Sequence, residues 1–134
     1  MKLIVMVGCV VVLLAIFTVW PSQQVQALPE VQPTIPKTIP EKIEDAAKRY
    51  GVPVKRALCI AKLESGFNPK AKNKGSTAGG IYQFINSTWV YTAEKMGEDW
   101  SLEDKFDEDK NIEAGVWLLS KEGNSHWAVA PSCP

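Results

Sequence analysis

The first twenty residues decide how much of this chain can fold. Leu3 to Trp20 is a run of 18 residues without a charge, interrupted only by Gly8 and Thr18 and preceded by Lys2. Its length falls between the core of an export signal, about 7–15 apolar residues, and a membrane-spanning helix of about 20. Val25-Gln26-Ala27 follows, with the small residue that a signal peptidase requires. Residues 1–27 are therefore expected to be a signal peptide cut after Ala27, or else a retained anchor through which the protein meets the membrane. Either outcome makes the chain an exported, extracytoplasmic one. Cys9 is not placed for lipidation, because the apolar run continues past it to Trp20.

Leu28 to Pro40 carries Pro29, Pro33, Pro36 and Pro40. That spacing favours an extended linker with a rise of about 3 Å per residue. What remains to fold is 41–134, a single domain of 94 residues with a thin core. Over the whole chain, 46% apolar and 22% charged residues describe an ordinary globular protein, away from the disordered corner. Fifteen basic and fifteen acidic residues cancel, so a nucleic-acid partner is not expected, since it would need a basic excess. The cancellation hides a split. Lys37 to Lys74 holds ten basic and four acidic residues, whereas Glu94 to Glu113 holds three basic and nine acidic.

With Cys9 in the export segment, Cys59 and Cys133 are left as an even pair in a chain leaving the cytoplasm. A disulfide between them would stabilise a thin core; the alternative is a buried thiol in a helix and a loose one near the end of the sequence. No ligand cluster has metal-site spacing, so no metal and no cofactor is expected.

The periodicity predicts a mainly helical domain. Glu41 to Tyr50 is acidic early and basic late, with Gly51 as a stop. A second helix runs from near Pro53 to about Ser65, a third, capped by Asn86 or Ser87, through Met96-Gly97, and a fourth from an Asp107 cap through Ser120 to Gly123. Asn68 to Gly80 reads as a loop or small hairpin. On the second helix Glu64 falls between Ile60 and Ala57 at about 100° per residue, on the apolar face and in the last turn. Burial and the helix dipole both disfavour a negative charge there. A carboxylic acid kept protonated near neutral pH is what a general acid requires. The wheel alone also admits a boundary glutamate that turns to solvent or pairs with Lys62 or Lys70.

Four blocks bear on that choice: Glu64-Ser65-Gly66-Phe67-Asn68-Pro69, Ser76 to Phe84, Thr88-Trp89, and Asn111-Ile112-Glu113-Ala114-Gly115. Together, over about residues 41 to 127, they resemble the soluble lytic transglycosylase family of lysozyme-like peptidoglycan enzymes. The resemblance implies an α+β, predominantly α, lysozyme-like fold with a small hairpin or loop region forming one wall of the cleft. It assigns the catalytic acid, then base, to Glu64 and an orienting role to Ser65. It assigns the sugar-binding cleft to Gly80, Tyr82, Gln83 and Phe84. The chain departs from the family pattern at Leu118, where many members have a tyrosine, and at Thr77, where a glycine is usual.

Hydrolytic glycosidases normally use two carboxylates, about 5–5.5 Å or about 6.5–9.5 Å apart. Here the next acidic residue after Glu64 is Glu94. The single acid suits the chemistry that the resemblance implies: cleavage of peptidoglycan glycan strands between N-acetylmuramic acid and N-acetylglucosamine, with closure of a 1,6-anhydro ring. A lysozyme-type hydrolase, drawing an acid from Glu98 to Asp109, and a non-catalytic peptidoglycan-binding module are the alternatives. A monomer is expected. Asp107-x-Asp109-x-Asn111 opens like a calcium loop but has Ile112 where glycine is needed and Leu118 where glutamate is needed. His126 reads as a surface or hydrogen-bonded histidine, and Trp89, Trp117 and Trp127 as core residues.

Overall fold

The computed structural model describes residues 35–134. The expected export segment 1–27 and most of the expected linker lie outside the described residues. Among the described residues no helix is long and apolar enough to cross a membrane.

Four α-helices carry the fold: α1 (Ile39–Tyr50), α2 (Val54–Ser65), α3 (Asn86–Met96) and α4 (Glu108–Glu122), with short 3-10 turns at Leu102–Phe106 and Ala130–Ser132. Helix α1 starts two residues earlier than the sequence suggested. The Glu41 carboxylate accepts from the Thr38 backbone N–H at 2.7 Å and from the Thr38 hydroxyl at 2.8 Å, so the helix is capped inside the expected linker. Pro40 fits that first turn, where its missing N–H has no helical partner. Helix α4 begins as expected, with the Asp107 side chain accepting from the Lys110 backbone N–H at 3.0 Å. Helix α3 does not begin as expected. Ile85 occupies the cap position, and the exposed Asn86 N–H donates instead to Thr77 Oγ1 at 3.1 Å. That bond gives the threonine at the usual glycine position a structural use.

The core is assembled from recurring apolar positions three or four apart: Ile43, Ala46 and Ala47 of α1, Ala57, Ile60 and Ala61 of α2, and Ile112, Val116 and Leu119 of α4, all buried. Trp89 of α3 is fully buried. Its indole N–H donates to the Ser101 carbonyl at 2.9 Å, its ring meets Phe84 edge-on at 5.4 Å, and Trp100 stacks on it at 5.3 Å. Such aromatic pairs contribute about 0.5–1.5 kcal/mol each beyond their buried area. Trp127 is buried too, and Trp117 packs partly buried against the core, as their apolar spacing suggested.

Cys59 and Cys133 are disulfide-bonded, joining α2 to a segment 74 residues away. The split charge pairs across the fold. Lys42 of α1 bonds Glu108 and Asp109, and Arg49 and Tyr50 bond Glu113, so the cations of α1 meet the acidic first half of α4. Between α2 and α3 the chain forms a loop rather than a strand hairpin. It is held by two isolated antiparallel bridges, Lys72 to Gly79 and Gly79 to Phe84.

Candidate active site

Glu64 occupies the last turn of α2, half-buried. Burial raises its carboxyl above the ordinary glutamate range, and no hydrogen bond or ion pair to it exists among the described residues. The alternative pairing with Lys62 or Lys70 is not made; Lys70 Nζ donates instead to the Phe106 carbonyl at 2.8 Å. Immediately beyond, Gly66 and Phe67 both take left-handed backbone angles, with φ of 62° and 65°, and reverse the chain. A phenylalanine in that region carries a conformational cost that its packing against the core offsets.

The Ser65 hydroxyl donates to the Ile81 carbonyl at 2.8 Å and accepts from the Asn68 backbone N–H at 3.2 Å. It therefore fastens the end of α2, and with it Glu64, to the turn that holds Gly80 and Gln83. In this arrangement the serine's donor is spent on the protein.

Gly80 is buried with φ of 79°, and a Cβ there would lie 2.2 Å from both Asn111 Nδ2 and the Lys105 carbonyl oxygen. No side chain fits. Asn111, fully buried on α4, accepts from the Tyr82 backbone N–H through Oδ1 at 2.9 Å and donates to the Lys105 carbonyl through Nδ2 at 2.7 Å. One turn further along α4, a Cβ on Gly115 would lie 2.4 Å from the Tyr82 ring. The Asn111 to Gly115 block is thus the seat into which the Gly80 to Phe84 block is pressed. This accounts for the calcium-like spelling around Asn111: Asp107 caps the helix and Asn111 holds the turn.

Gln83 has φ of 52°, another left-handed non-glycine residue. Its Nε2 donates to the Gly80 carbonyl at 2.9 Å and to the Ala71 carbonyl at 3.3 Å, while Oε1 makes no bond among the described residues. Held in this way, the side chain offers a fixed acceptor, suited to a sugar hydroxyl or an N-acetyl N–H. Beside it lies a pocket of about 100 Å³ between Ile85, Thr88, His126 and Trp127. The His126 ring nitrogen is 2.7 Å from the Glu122 carboxylate, a surface role of the kind its spacing suggested.

Two of the expected cleft residues have buried side chains. The Tyr82 side chain is fully buried, donating its hydroxyl to the Ala57 carbonyl of α2 at 3.0 Å, and Phe84 is 3% exposed. Their rings pack edge-on against Trp127 and back the turn that carries Gln83, and both residues also line the pocket beside it. Trp127 in turn donates its indole N–H to the Tyr82 carbonyl at 2.9 Å. Sequence reasoning assigned no role to Asn111, Gly115, Thr77 or Lys105. The four-residue step from Asn111 to Gly115, which puts both on one helix face, was the available signal for the first two.

Residues 41–129 of the chain match the family described as the transglycosylase SLT domain. Over 89 residues, 64% of the chain, it is 34% identical to the membrane-bound lytic murein transglycosylase C of Pectobacterium atrosepticum. The match covers 25% of that protein, so the chain spans about a quarter of its relative's length. The glutamate at the end of α2, the glycine-glutamine turn and the asparagine-glycine seat on α4 all fall inside the matched region, and the chain belongs to the transglycosylase SLT domain family.

Proposed function

We propose that this protein is a peptidoglycan lytic transglycosylase that cleaves the β-1,4 bond between N-acetylmuramic acid and N-acetylglucosamine, with Glu64 as its only acid/base group. The observation that carries the reading is the setting of Glu64: half-buried, without a counter-ion among the described residues, and with its carboxyl pushed up by desolvation. Protonated, it can donate to the glycosidic oxygen as the bond to C1 breaks. The resulting carboxylate can then take the proton of the muramoyl C6 hydroxyl as its oxygen attacks C1. The proton is returned, a 1,6-anhydro ring closes and no water is consumed.

Several acids that a hydrolase would draw on have other partners, which supports the single-acid reading. Asp104 bonds Lys110 and Ser101, Asp107 caps α4, Glu108 and Asp109 bond Lys42, and Glu113 bonds Arg49. Ser65 positions Glu64 through Ile81, and Gln83 presents an acceptor to the glycan. Peptidoglycan as substrate implies action in the cell envelope. The apolar segment 1–27 suits export or anchoring there, and the relative is named as membrane-bound.

The test is to incubate the full chain with purified peptidoglycan and weigh the released muropeptides. Anhydro ends are expected. Reducing ends would show a hydrolase, and no release would sink both enzyme readings. Glu64→Gln should abolish release while glycan binding persists; an active Glu64→Gln variant would show that the acid lies elsewhere.

A further inference from the structure

Lys105 is buried, 5% exposed, in the 3-10 turn between α3 and α4. Its Nζ donates to the Thr77 carbonyl at 2.7 Å and to Asn86 Oδ1 at 2.5 Å. Both acceptors are neutral, and among the described residues no carboxylate lies within ion-pair distance of it. Burial accordingly holds this ammonium below the usual lysine range. A charge removed from water normally has an opposite charge beside it, so this one is electrostatically incomplete.

Lys105 also lines a cavity of about 250 Å³, and Lys72 lines it too. Both ammonium groups sit over the Phe106 ring, 5.3 and 4.9 Å from its centroid. Asn73, Ser76, Thr77, Asn86 and Glu103 make up the rest of the polar lining. The Asn73 side-chain oxygen is occupied by the Gly75 N–H and the Ser76 oxygen accepts from the Ala78 N–H, so the amide and hydroxyl hydrogens remain free to donate. Glu103 is the one carboxylate at the rim, and it is exposed. Donors outnumber acceptors, and positive charge outnumbers negative. The cavity also belongs to the glycan-facing loop: Ala71, whose carbonyl accepts from Gln83 Nε2, is the chain neighbour of Lys72.

We propose that this cavity binds an oxyanion carried by the cell wall, a carboxylate of its peptide stems or a phosphate of a polymer attached to it. The proposal rests on the glycan-cleaving reading above. Lys105 is the fixed donor, oriented by Thr77 and Asn86; Lys72 is the exposed donor that closes on the ligand. The Phe106 ring gives the ligand's carbon stem an apolar wall. The consequence is a preference for decorated over bare glycan strands, set at a distance from Glu64 along the loop.

The test is binding, with the full chain carrying Glu64→Gln to stop turnover. Three probes are used: soluble peptidoglycan fragments with their peptides and attached polymers, the same fragments stripped of peptides by an amidase, and the same fragments freed of phosphate polymers by hydrofluoric acid. Adding Lys72→Ala should weaken binding to intact fragments about tenfold, the size of one charge-assisted hydrogen bond. The loss should vanish on one stripped probe, and which one vanishes tells carboxylate from phosphate. Lys105→Met, which keeps the chain length and removes the charge, should give the same pattern; if it does not fold, Lys72→Ala alone decides. Equal binding by parent and Lys72→Ala, or an equal loss on all three probes, overturns the site. In that case a chain with Glu64 intact that still releases muropeptides leaves the glycan-cleaving reading standing, whereas one that neither binds nor releases overturns both.

Discussion

Gly115→Ala separates two physical effects that predict opposite signs. By helix propensity alone, alanine in place of an interior glycine should stabilise α4 by about 1 kcal/mol. The structure predicts the reverse, because the added Cβ would lie 2.4 and 2.5 Å from Tyr82 ring carbons, well inside contact distance. Tyr82 cannot step aside. Its N–H is held by Asn111, its carbonyl by Trp127 and its hydroxyl by the Ala57 carbonyl. Overpacking of this kind costs about 1–3 kcal/mol. Displacing the ring also strands a buried hydroxyl, for about 1–3 kcal/mol more. After subtracting the propensity gain, the net loss is about 1–5 kcal/mol, or about 4–40 °C in Tm for a domain of this size. Thermal and urea unfolding of the oxidised protein measure it. A Tm equal to or above the parent's refutes the packing argument. The Tyr82→Leu background provides the control, since removing the ring wall should cut the cost of Gly115→Ala to under about 1 kcal/mol; additive losses would mean that the two residues do not press on each other.

Two further outcomes follow from the crosslink and from the acid. Reducing the Cys59–Cys133 bond, which closes a separation of 74 residues, should cost roughly 4 kcal/mol in the chain-entropy model, read as the difference between unfolding curves with and without reductant. An unchanged curve would show that the bond constrains nothing. Because burial raises the folded pKa of Glu64 above its unfolded value, the stability linked to its protonation is complete below the unfolded carboxylate range and is lost as pH rises through the folded pKa. Glu64→Gln should therefore be more stable than the parent at neutral pH and no more stable at acid pH; the same difference at both would refute desolvation as the cause.

Much of the helical frame was legible in the residues, because local rules decide it. Gly51, Gly66 and Gly123 end helices where their positions suggested, Asp107 caps α4, and Glu64 lies on a half-buried face as the wheel placed it. What the sequence hid depends on partners distant along the chain. Thr77 looked like a loop variation, yet its hydroxyl accepts the N–H that opens α3. Tyr82 and Phe84 sit in a block that resembles a sugar-binding wall, and nothing local says that their rings turn inward towards Trp127. The pairing of the two charged halves was equally silent, since Lys42 meets Glu108 across 66 residues. Periodicity reports a face; it does not report what covers it.

The seat on α4 has a consequence for how this fold can change. The turn from Gly80 to Phe84 is closed by one isolated bridge, Gly79 to Phe84, with no strand pairing to define its shape; its shape is borrowed from a helix made about thirty residues later. It is therefore not a portable segment. Moved alone into another helical scaffold, Gly80-Ile81-Tyr82-Gln83-Phe84 would keep its letters and lose its geometry, and Gln83 would be released from its left-handed backbone. Moved with an asparagine and a glycine four residues apart on the facing helix, it would arrive with its mould. The inherited unit is the pair, turn and helix together, and drift at position 82 towards a smaller side chain would lift the constraint on position 115.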